Sequence, residues 1–334
     1  MKKIVIFTLL VFLSACQRAE PELAFAGLTM GTSYHVTIKD ETIQHEAQQL
    51  QDEIQQRLDE INALMSNWVE SSEISRFNKI PVNTWFNISS KTRYVIELAL
   101  SISQQTDGAF DVTVSPLIET WGFGVNDQVD HIPSQQEINS ALKRTGYQHL
   151  EINRESGEIR KTKPVTINLS AIAKGYAVDA IFEYLVEKGY KQFLVEIGGE
   201  VRAKGKKPDG TNWRIAIEKP DTYDRAVQSV LNLEDAAVAT SGDYRNYFEK
   251  DGKRYSHTID PRTGKPVTHD LSSVSVISKT AARADAIATA LMVMGPGKGI
   301  AFCKQHDINA YFIIKQQDEF RVEMTGEFQD YLNE

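Results

Sequence analysis

The sequence is poor in cysteine and contains no long hydrophobic run. Its 334 residues include 2 Cys and 10 Pro, which is too few thiols for a disulfide framework or a zinc–thiolate centre. An apolar run at residues 4–13 is too short to remain as a membrane-spanning helix, and no other segment reaches about 18 apolar residues. With 41% hydrophobic and 25% charged residues, the composition is that of an ordinary folded protein.

The sequence also lacks an excess of basic charge. It has 37 Lys and Arg against 45 Asp and Glu, which gives a formal net charge of −8. A nucleic-acid-binding protein needs a basic face to meet phosphates, so we expect no nucleic-acid partner.

The N-terminus has the pattern of a secretion signal. Two lysines precede the apolar run, and Leu-Ser-Ala-Cys then ends at Cys16. The pattern predicts a signal peptide at residues 1–15 and a bacterial lipobox in which Cys16 is lipidated. An ordinary signal peptide with a chance cysteine remains an alternative. Gln17 follows, so the Asp that would retain a lipoprotein in the inner membrane is absent.

The rest of the chain predicts a single α+β domain. We expect a tether at residues 16–27 and one compact domain at 28–334, with a mixed or antiparallel sheet and interspersed helices. Apolar periodicity predicts helices at 42–65, 90–105, 134–146, 171–188 and 281–294. Strands are predicted at 28–39, 149–153, 158–161, 165–169, 193–197, 213–218, 229–233 and 272–278, with a hairpin near 251–252. The C-terminus is predicted as helix, strand, strand.

Residues 168–176 place small residues and a lysine where a strand is predicted to enter a helix. Helix N-termini expose unpaired amides and a positive dipole end, which suit a phosphate. Lys174 would add a point charge for a pyrophosphate. The spacing is not that of a Walker loop.

Asp285 and Thr289 are four residues apart in a predicted apolar helix, so they share one face. A carboxylate beside a hydroxyl suits Mg²⁺, which takes oxygen ligands. The alternative is that Asp285 interacts only with the helix dipole. We favour the metal, because a buried carboxylate without a partner is costly.

His257 precedes an Asp-Pro turn and is a candidate general base. A structural histidine in a turn is the alternative. The other six histidines show no ligand spacing, so we expect no zinc site. Cys303 lies in an apolar helical stretch and is expected to be a packed core residue.

Further Gly-rich or polar segments are weak signals when taken alone. Residues 30–34 could be a strand with a glycine bulge, and residues 108–117 could be a polar turn. The pair Gly198-Gly199 and the segment 240–244 would suit close packing or a ligand that passes over the backbone.

Taken in order, these segments resemble the ApbE family of FAD:protein FMN transferases, from about Thr29 to Leu291. The resemblance implies Mg²⁺-dependent transfer of the FMN moiety of FAD to a Thr or Ser hydroxyl of a target flavoprotein, with release of AMP. It implies targets among subunits of Nqr- and Rnf-type redox pumps. It also implies a lipid-anchored protein on the periplasmic side of a bacterial membrane. The family favours the inner membrane, and Gln17 leaves the outer membrane open.

The resemblance also assigns residues. His257 would be the base. The Ala171 carbonyl, Asp285 and Thr289 would hold Mg²⁺. The FAD site would be lined by Met30, Trp68, Ala109, Phe110, Asp111, Lys174 and Ile259. Two positions depart from the family pattern, since Asn168 stands where Asp is usual and Val112 where Pro is common. If the usual carboxylate orients the metal, an amide there would weaken the site.

Two rival functions use the same segments. A periplasmic FAD-binding lipoprotein would hold FAD without transfer and would not need His257 together with Asp285 and Thr289. A Mg²⁺-dependent FAD pyrophosphatase would release FMN and AMP, because water would replace the protein hydroxyl.

Overall fold

Helices form where the sequence repeats apolar residues every three or four positions. The computed structural model describes residues 22–40, 47–124, 131–220, 226–244, 247–250, 252–317 and 319–332. Its α-helices are α1 (Ala47–Met65), α2 (Glu73–Lys79), α3 (Ser90–Gln105), α4 (Ser115–Thr120), α5 (Gln135–Leu142), α6 (Ala173–Glu187) and α7 (Ala281–His306). The predicted bounds of α3 are confirmed, and so is the buried face of α1, whose first predicted residues lie outside the described ones.

The strands are short and joined mainly by tight turns. They are β1 (Leu23–Thr29), β2 (Thr32–Ile38), β3 (Phe86–Asn87), β4 (Leu150–Ile152), β5 (Glu158–Lys161), β6 (Phe193–Ile197), β7 (Glu200–Lys204), β8 (Trp213–Glu218), β9 (Val227–Leu233), β10 (Ala236–Gly242), β11 (Tyr247–Lys250), β12 (Lys253–Ser256), β13 (Ile259–Asp260), β14 (Lys265–Pro266), β15 (Leu271–Ser278), β16 (Asn309–Gln316) and β17 (Glu319–Thr325).

An eight-stranded sheet is the centre of the described structure. Its order is β1-β2-β6-β7-β10-β15-β16-β17, and each neighbouring pair is antiparallel. Its middle strands are covered on both faces, and β15 is accordingly buried at seven successive positions. The α+β prediction with an antiparallel sheet is confirmed.

One face of the sheet carries the helices. α7 packs on β10 and β15, and α6 packs on β6, β7 and α7. The first part of α7 is rich in fully buried alanines, which allow close packing. Among the described helices, α7 is also the one long and apolar enough to cross a membrane, but 56% of its most apolar window is buried inside the protein. Cys303, at its far end, is buried, as predicted for a packed core residue.

The opposite face is covered by the β8–β9 hairpin and the C-terminal segment. Trp213, Leu231 and Phe328 form a second core there with residues of the sheet. A third, smaller cluster joins α4 and α5 to β13 through Leu117, Ile138 and Ile259. This cluster fixes the turn that follows His257 in the sequence.

The predicted N-terminal boundary is corrected by the structure. Residues 16–27 were expected to be a tether and 28–39 one strand, but β1 begins at Leu23 and turns back at Met30-Gly31 into β2. Only Phe25 and Thr29 of β1 are buried, because β1 is the edge strand of the sheet. Its sequence therefore lacks the alternation that marks a half-buried strand.

The prediction of a strand at residues 165–169 is wrong. Val165, Ile167 and Leu169 alternate and are fully buried, but no neighbouring strand pairs with them in the described structure. Instead, the Asn78 side chain accepts a hydrogen bond from the Ile167 amide and donates one to the Ile167 carbonyl. Side-chain amides thus replace the backbone partners that a strand would require.

α6 and α7 make an unusually close backbone contact at Gly175. A Cβ atom at this position would lie 2.7 Å from Ala282 Cα and still closer to the Ala281 carbonyl. The obstructing atoms belong to backbone, so they cannot rotate aside as a flexible side chain could. Glycine is therefore required where the two helices meet.

Gly175→Ala is expected to lower the free energy of unfolding by about 1–3 kcal/mol, because the added methyl forces the helices apart. Chemical denaturation measures the change. The matched control is Gly297→Ala, where an added Cβ meets nothing within 4 Å. That variant should lose no stability and should gain at most about 1 kcal/mol, because alanine favours a helix over glycine. Equal losses in both variants would contradict the close-contact argument.

Candidate active site

Two adjoining cavities open where the chain enters α6. The first has a volume of about 320 Å³ and the second about 400 Å³. Both are lined by Asn168, Ser170 and Lys174, so the two spaces meet at these residues. Each volume lies in the range of small-molecule sites, and a long ligand could occupy both.

The structure brings every residue singled out for the site to these two cavities. The second cavity is lined by Met30 and Trp68 as well as by Lys174. The first cavity is lined by Ala109, Phe110, Asp111, Ala171, Lys174, His257, Ile259, Asp285 and Thr289. These residues come from segments as far apart as 30 and 289 in the chain, so only the fold could bring them together.

Residues 168–172 form the turn that leads into α6. The backbone amide of Asn168 donates a hydrogen bond to the Val112 carbonyl. The side-chain Oδ1 of Asn168 accepts a hydrogen bond from the Ser170 backbone amide at 2.9 Å. An aspartate would offer the same oxygen, so an amide serves this turn as well as a carboxylate would. The turn places Ala171 beside the first cavity and Lys174 in the first turn of the helix.

Asp285 and Thr289 lie on the predicted common face of α7. Asp285 is 4% exposed, and its carboxylate accepts a hydrogen bond from the Gly175 amide at 3.2 Å. The Thr289 hydroxyl lies 3.4 Å from that of Ser241 on β10. The close contact of α6 with α7 is thus also what brings Asp285 to the start of α6.

Glu200 is a site residue that sequence reasoning missed. It follows a two-residue turn in which Gly198 and Gly199 both have positive φ, and this turn joins β6 to β7. Glu200 is 3% exposed, and its Oε1 accepts a hydrogen bond from Lys174 Nζ at 2.7 Å. The sequence indicated only a close backbone approach at the double glycine. In the structure, the turn that it forms places the buried Glu200 carboxylate at the start of β7. A carboxylate directly after Gly-Gly, at the start of a strand, was the available signal.

Two buried carboxylates and one ammonium make this part of the cavity acidic. Burial, and then the charge of Asp285, raise the pKa of Glu200 to about 8. Burial also raises the pKa of Asp285, against the effects of Lys174 and the Gly175 amide. Burial alone would lower the pKa of Lys174, but Asp285 and Glu200 together raise it above its ordinary value. The site therefore favours an additional positive charge.

Asp111 shapes the loop between α3 and α4. Its Oδ1 accepts hydrogen bonds from the amide and hydroxyl of Thr113, and its Oδ2 accepts one from the Tyr147 amide. Burial raises the pKa of Asp111, although these hydrogen bonds oppose the rise. Asp111 thus lines the first cavity while holding Ala109 and Phe110 at its wall.

His257 lies between β12 and β13 at the wall of the first cavity. Its ring meets Phe123 edge-on, with 6.4 Å between ring centroids. Burial raises the pKa of Asp243. The charges of Arg254, His269 and His257 oppose that rise. The Asp243 carboxylate therefore lies close enough to the His257 imidazole to interact with it electrostatically. An imidazole with a carboxylate nearby can take up a proton.

The second cavity is bounded by a strained turn. Met30 and Gly31 both have positive φ and join β1 to β2 as a two-residue hairpin turn, not the bulge considered from the sequence. Positive φ is uncommon for methionine, and such conformations cluster at ligand sites. Trp68 is 72% exposed at this cavity and offers an aromatic face.

Asp179 on α6 anchors the N-terminus of α7. Its two carboxylate oxygens accept hydrogen bonds from the amides of Ala281 and Ala282, both at 2.9 Å. Arg202 on β7 pairs with the same carboxylate at 2.9 Å and with the exposed Glu183 at 2.8 Å. A side chain of α6 therefore caps the helix that carries Asp285 and Thr289.

Two adjoining cavities lined by buried ionisable groups are typical of an enzyme active site. Comparison with known proteins makes the class specific. The ApbE family model matches residues 30–312, and the chain belongs to the ApbE family. It is 41% identical to the FAD:protein FMN transferase of Vibrio cholerae over 97% of each chain. It is 39% identical to that of Haemophilus influenzae over 95% of this chain and 93% of the relative.

A solved structure agrees with the sequence relatives. The flavin transferase ApbE from Vibrio cholerae superimposes with a TM-score of 0.86 at 40% identity, covering 93% of this chain and 99% of that one.

Asp179→Ala is expected to lower the free energy of unfolding by about 3 kcal/mol, because it removes two capping hydrogen bonds and a buried ion-pair partner. The matched control is Glu183→Ala, which removes the exposed partner of the same arginine and should cost less than about 1 kcal/mol. Urea denaturation of both variants compares them directly. If Glu183→Ala lowers the free energy of unfolding as much as Asp179→Ala does, the capping role of Asp179 is refuted.

Proposed function

We propose that this protein transfers the FMN moiety of FAD to a Thr or Ser hydroxyl of a target protein and releases AMP. The observation that carries the proposal is the meeting of two cavities at Lys174, with buried acids and His257 around the first. The relatives named FAD:protein FMN transferase support the same activity.

FAD has two ring systems joined by a pyrophosphate, which matches two spaces that meet at an ammonium group. We assign the pyrophosphate to the neighbourhood of Lys174 and the N-terminus of α6, where the ammonium charge and the positive end of the helix dipole favour phosphate. The exposed ring of Trp68 is suited to stack on a flat ring of the substrate. Met30, Ala109, Phe110, Asp111 and Ile259 complete the FAD site as cavity walls.

The donor set fits a Mg²⁺ ion. The described residues contain no cluster of three His, Cys, Asp or Glu side chains suited to a metal, so Asp285 would be joined by the Thr289 hydroxyl and the Ala171 carbonyl. Oxygen donors of this kind suit Mg²⁺. The acid excess favours a cation, and Glu200 Oε2 is the one buried side-chain nitrogen or oxygen atom, among those described, without a hydrogen-bond partner. When bound, Mg²⁺ would neutralise charge on the pyrophosphate.

The chain's own residues then perform positioning and proton transfer. The target hydroxyl oxygen forms a bond to the phosphorus on the FMN side, and the bond from that phosphorus to the AMP oxygen breaks. His257 takes the hydroxyl proton, and AMP leaves with its phosphate oxygens near Lys174. Phosphoryl transfer needs charge neutralisation and an aligned hydroxyl, and no covalent enzyme intermediate is required.

We further propose that the protein acts on the periplasmic side of a bacterial membrane, anchored through lipidated Cys16 after loss of residues 1–15. These residues lie outside the described ones, so the proposal rests on the sequence pattern. Subunits of Nqr- and Rnf-type redox pumps are the proposed targets.

The first experiment incubates the protein with FAD, Mg²⁺ and a periplasmic redox-pump subunit. A fluorescent target band on a denaturing gel that disappears with chelator supports the transferase. Free FMN and AMP without a labelled band would indicate a pyrophosphatase instead. Intact FAD retained by the protein would indicate a binding module.

His257→Ala is expected to slow transfer by at least about 100-fold, because it removes the general base. FAD affinity, measured by flavin fluorescence, should stay within about threefold of the wild type. The control is His35→Ala, an exposed histidine on β2 whose side chain is 56% accessible, and it should retain full activity. Undiminished transfer by His257→Ala would refute the base assignment.

Asp285→Asn is expected to abolish transfer and to remove calorimetric binding of Mg²⁺, because the amide keeps the shape but loses the charge. Its oxygen can still accept from the Gly175 amide, so folding should be preserved. The control is Asp59→Asn on the exposed side of α1. Normal Mg²⁺ binding by Asp285→Asn would contradict the metal role.

A further inference from the structure

We propose that Glu200 is a positioning residue that holds the Lys174 ammonium away from Asp285 and so keeps the Asp285 carboxylate available to a divalent cation. The inference rests on the proposed cation role of Asp285. It assigns a task to a residue that otherwise has no place in the reaction.

The geometry around Lys174 carries the inference. Lys174 lies between two buried acids, and within the described part of the chain its ammonium forms an ion pair with Glu200, at 2.7 Å, and none with Asp285. Asp285 is nevertheless close enough to act on Lys174 electrostatically. The ammonium thus has two possible partners and is held by one of them.

The two acids differ in how firmly the fold fixes them. Glu200 is the first residue of β7 and pairs with Ile197 directly across the Gly198-Gly199 turn, so its backbone position is set by the hairpin. A Cβ at Gly198 would lie 3.2 Å from Lys174 Cδ, which shows that the turn also supports the lysine stem. The hairpin therefore holds both the carboxylate and the side chain that it pairs with.

Asp285 has a single described hydrogen bond, from the Gly175 amide. If the Lys174 ammonium moved to Asp285, it would neutralise that carboxylate and compete with a cation for its oxygens. Glu200 prevents this because a charge-assisted hydrogen bond in a buried site is strong. The other oxygen of Glu200 has no described hydrogen-bond partner, so the contact with Lys174 is the described side-chain hydrogen bond that holds this carboxyl group in place.

The test measures Mg²⁺ binding to the full-length protein by titration calorimetry, with the metal alone as the probe. E200A is expected to raise the Kd for Mg²⁺ about tenfold, because the released ammonium pairs with Asp285. E200Q removes the same charge but keeps an oxygen for Lys174, and it should stay within about threefold of the wild type. The double variant K174A/E200A has no ammonium to compete and should regain near-wild-type affinity.

A crystal structure of E200A provides a second readout, with Lys174 Nζ expected in ion-pair contact with Asp285. If E200A does not fold, E200D takes its place, because it keeps the charge but draws the carboxylate back by one methylene. E200D should weaken Mg²⁺ binding as E200A does.

The outcomes separate this inference from the proposed function. A wild-type protein that binds no Mg²⁺ would overturn the cation role of Asp285 and this inference with it. Wild-type binding that E200A or E200D leaves unchanged would overturn this inference alone. If E200Q or the double variant binds Mg²⁺ as weakly as E200A does, this inference is also overturned. The loss of Mg²⁺ affinity would then be explained by charge or structure and not by the position of Lys174.

Discussion

The site depends on the close contact of α6 with α7. Lys174 lies near the start of one helix and Asp285 near the start of the other, and Gly175 is the point at which the two backbones touch. Two carboxylates fix this contact from opposite directions, since Asp285 accepts from an α6 amide and Asp179 caps α7. The residues that stabilise the helix contact and the residues proposed to act in the reaction therefore lie on the same few turns of helix. A shift in the helix packing would disturb both sets.

The electrostatic character of the site follows from that contact. Packing the helix starts together against β7 buries three ionisable groups, two carboxyls and one ammonium. A folded protein without a ligand must tolerate this excess, which it does in part by raising the pKa of Glu200 to about 8. Functional sites commonly carry such imbalance, because groups arranged for a ligand are not arranged for stability.

Much of the fold and site could be predicted from the sequence, and the failures have physical causes. The helix α3 and the buried face of α1 followed from apolar spacing, and the i, i+4 pair on α7 followed from helix geometry. The strand predicted at 165–169 failed because side-chain amides can satisfy a buried extended segment as a neighbouring strand would. β1 was missed because an edge strand needs little apolar alternation. Glu200 was missed because its partner, Lys174, is 26 residues away and only the sheet brings them together.

The alanine-rich packing of α7 has a consequence for how the protein can be altered. Six alanines of its first ten residues are fully buried, so nearly every substitution there adds volume to a space that is already filled. The walls of the first cavity that α6 and α7 supply are consequently poor targets for redesign. At the second cavity Trp68 is exposed, so replacing it would not disturb the core. Engineering a changed preference for the flavin nucleotide should therefore begin there.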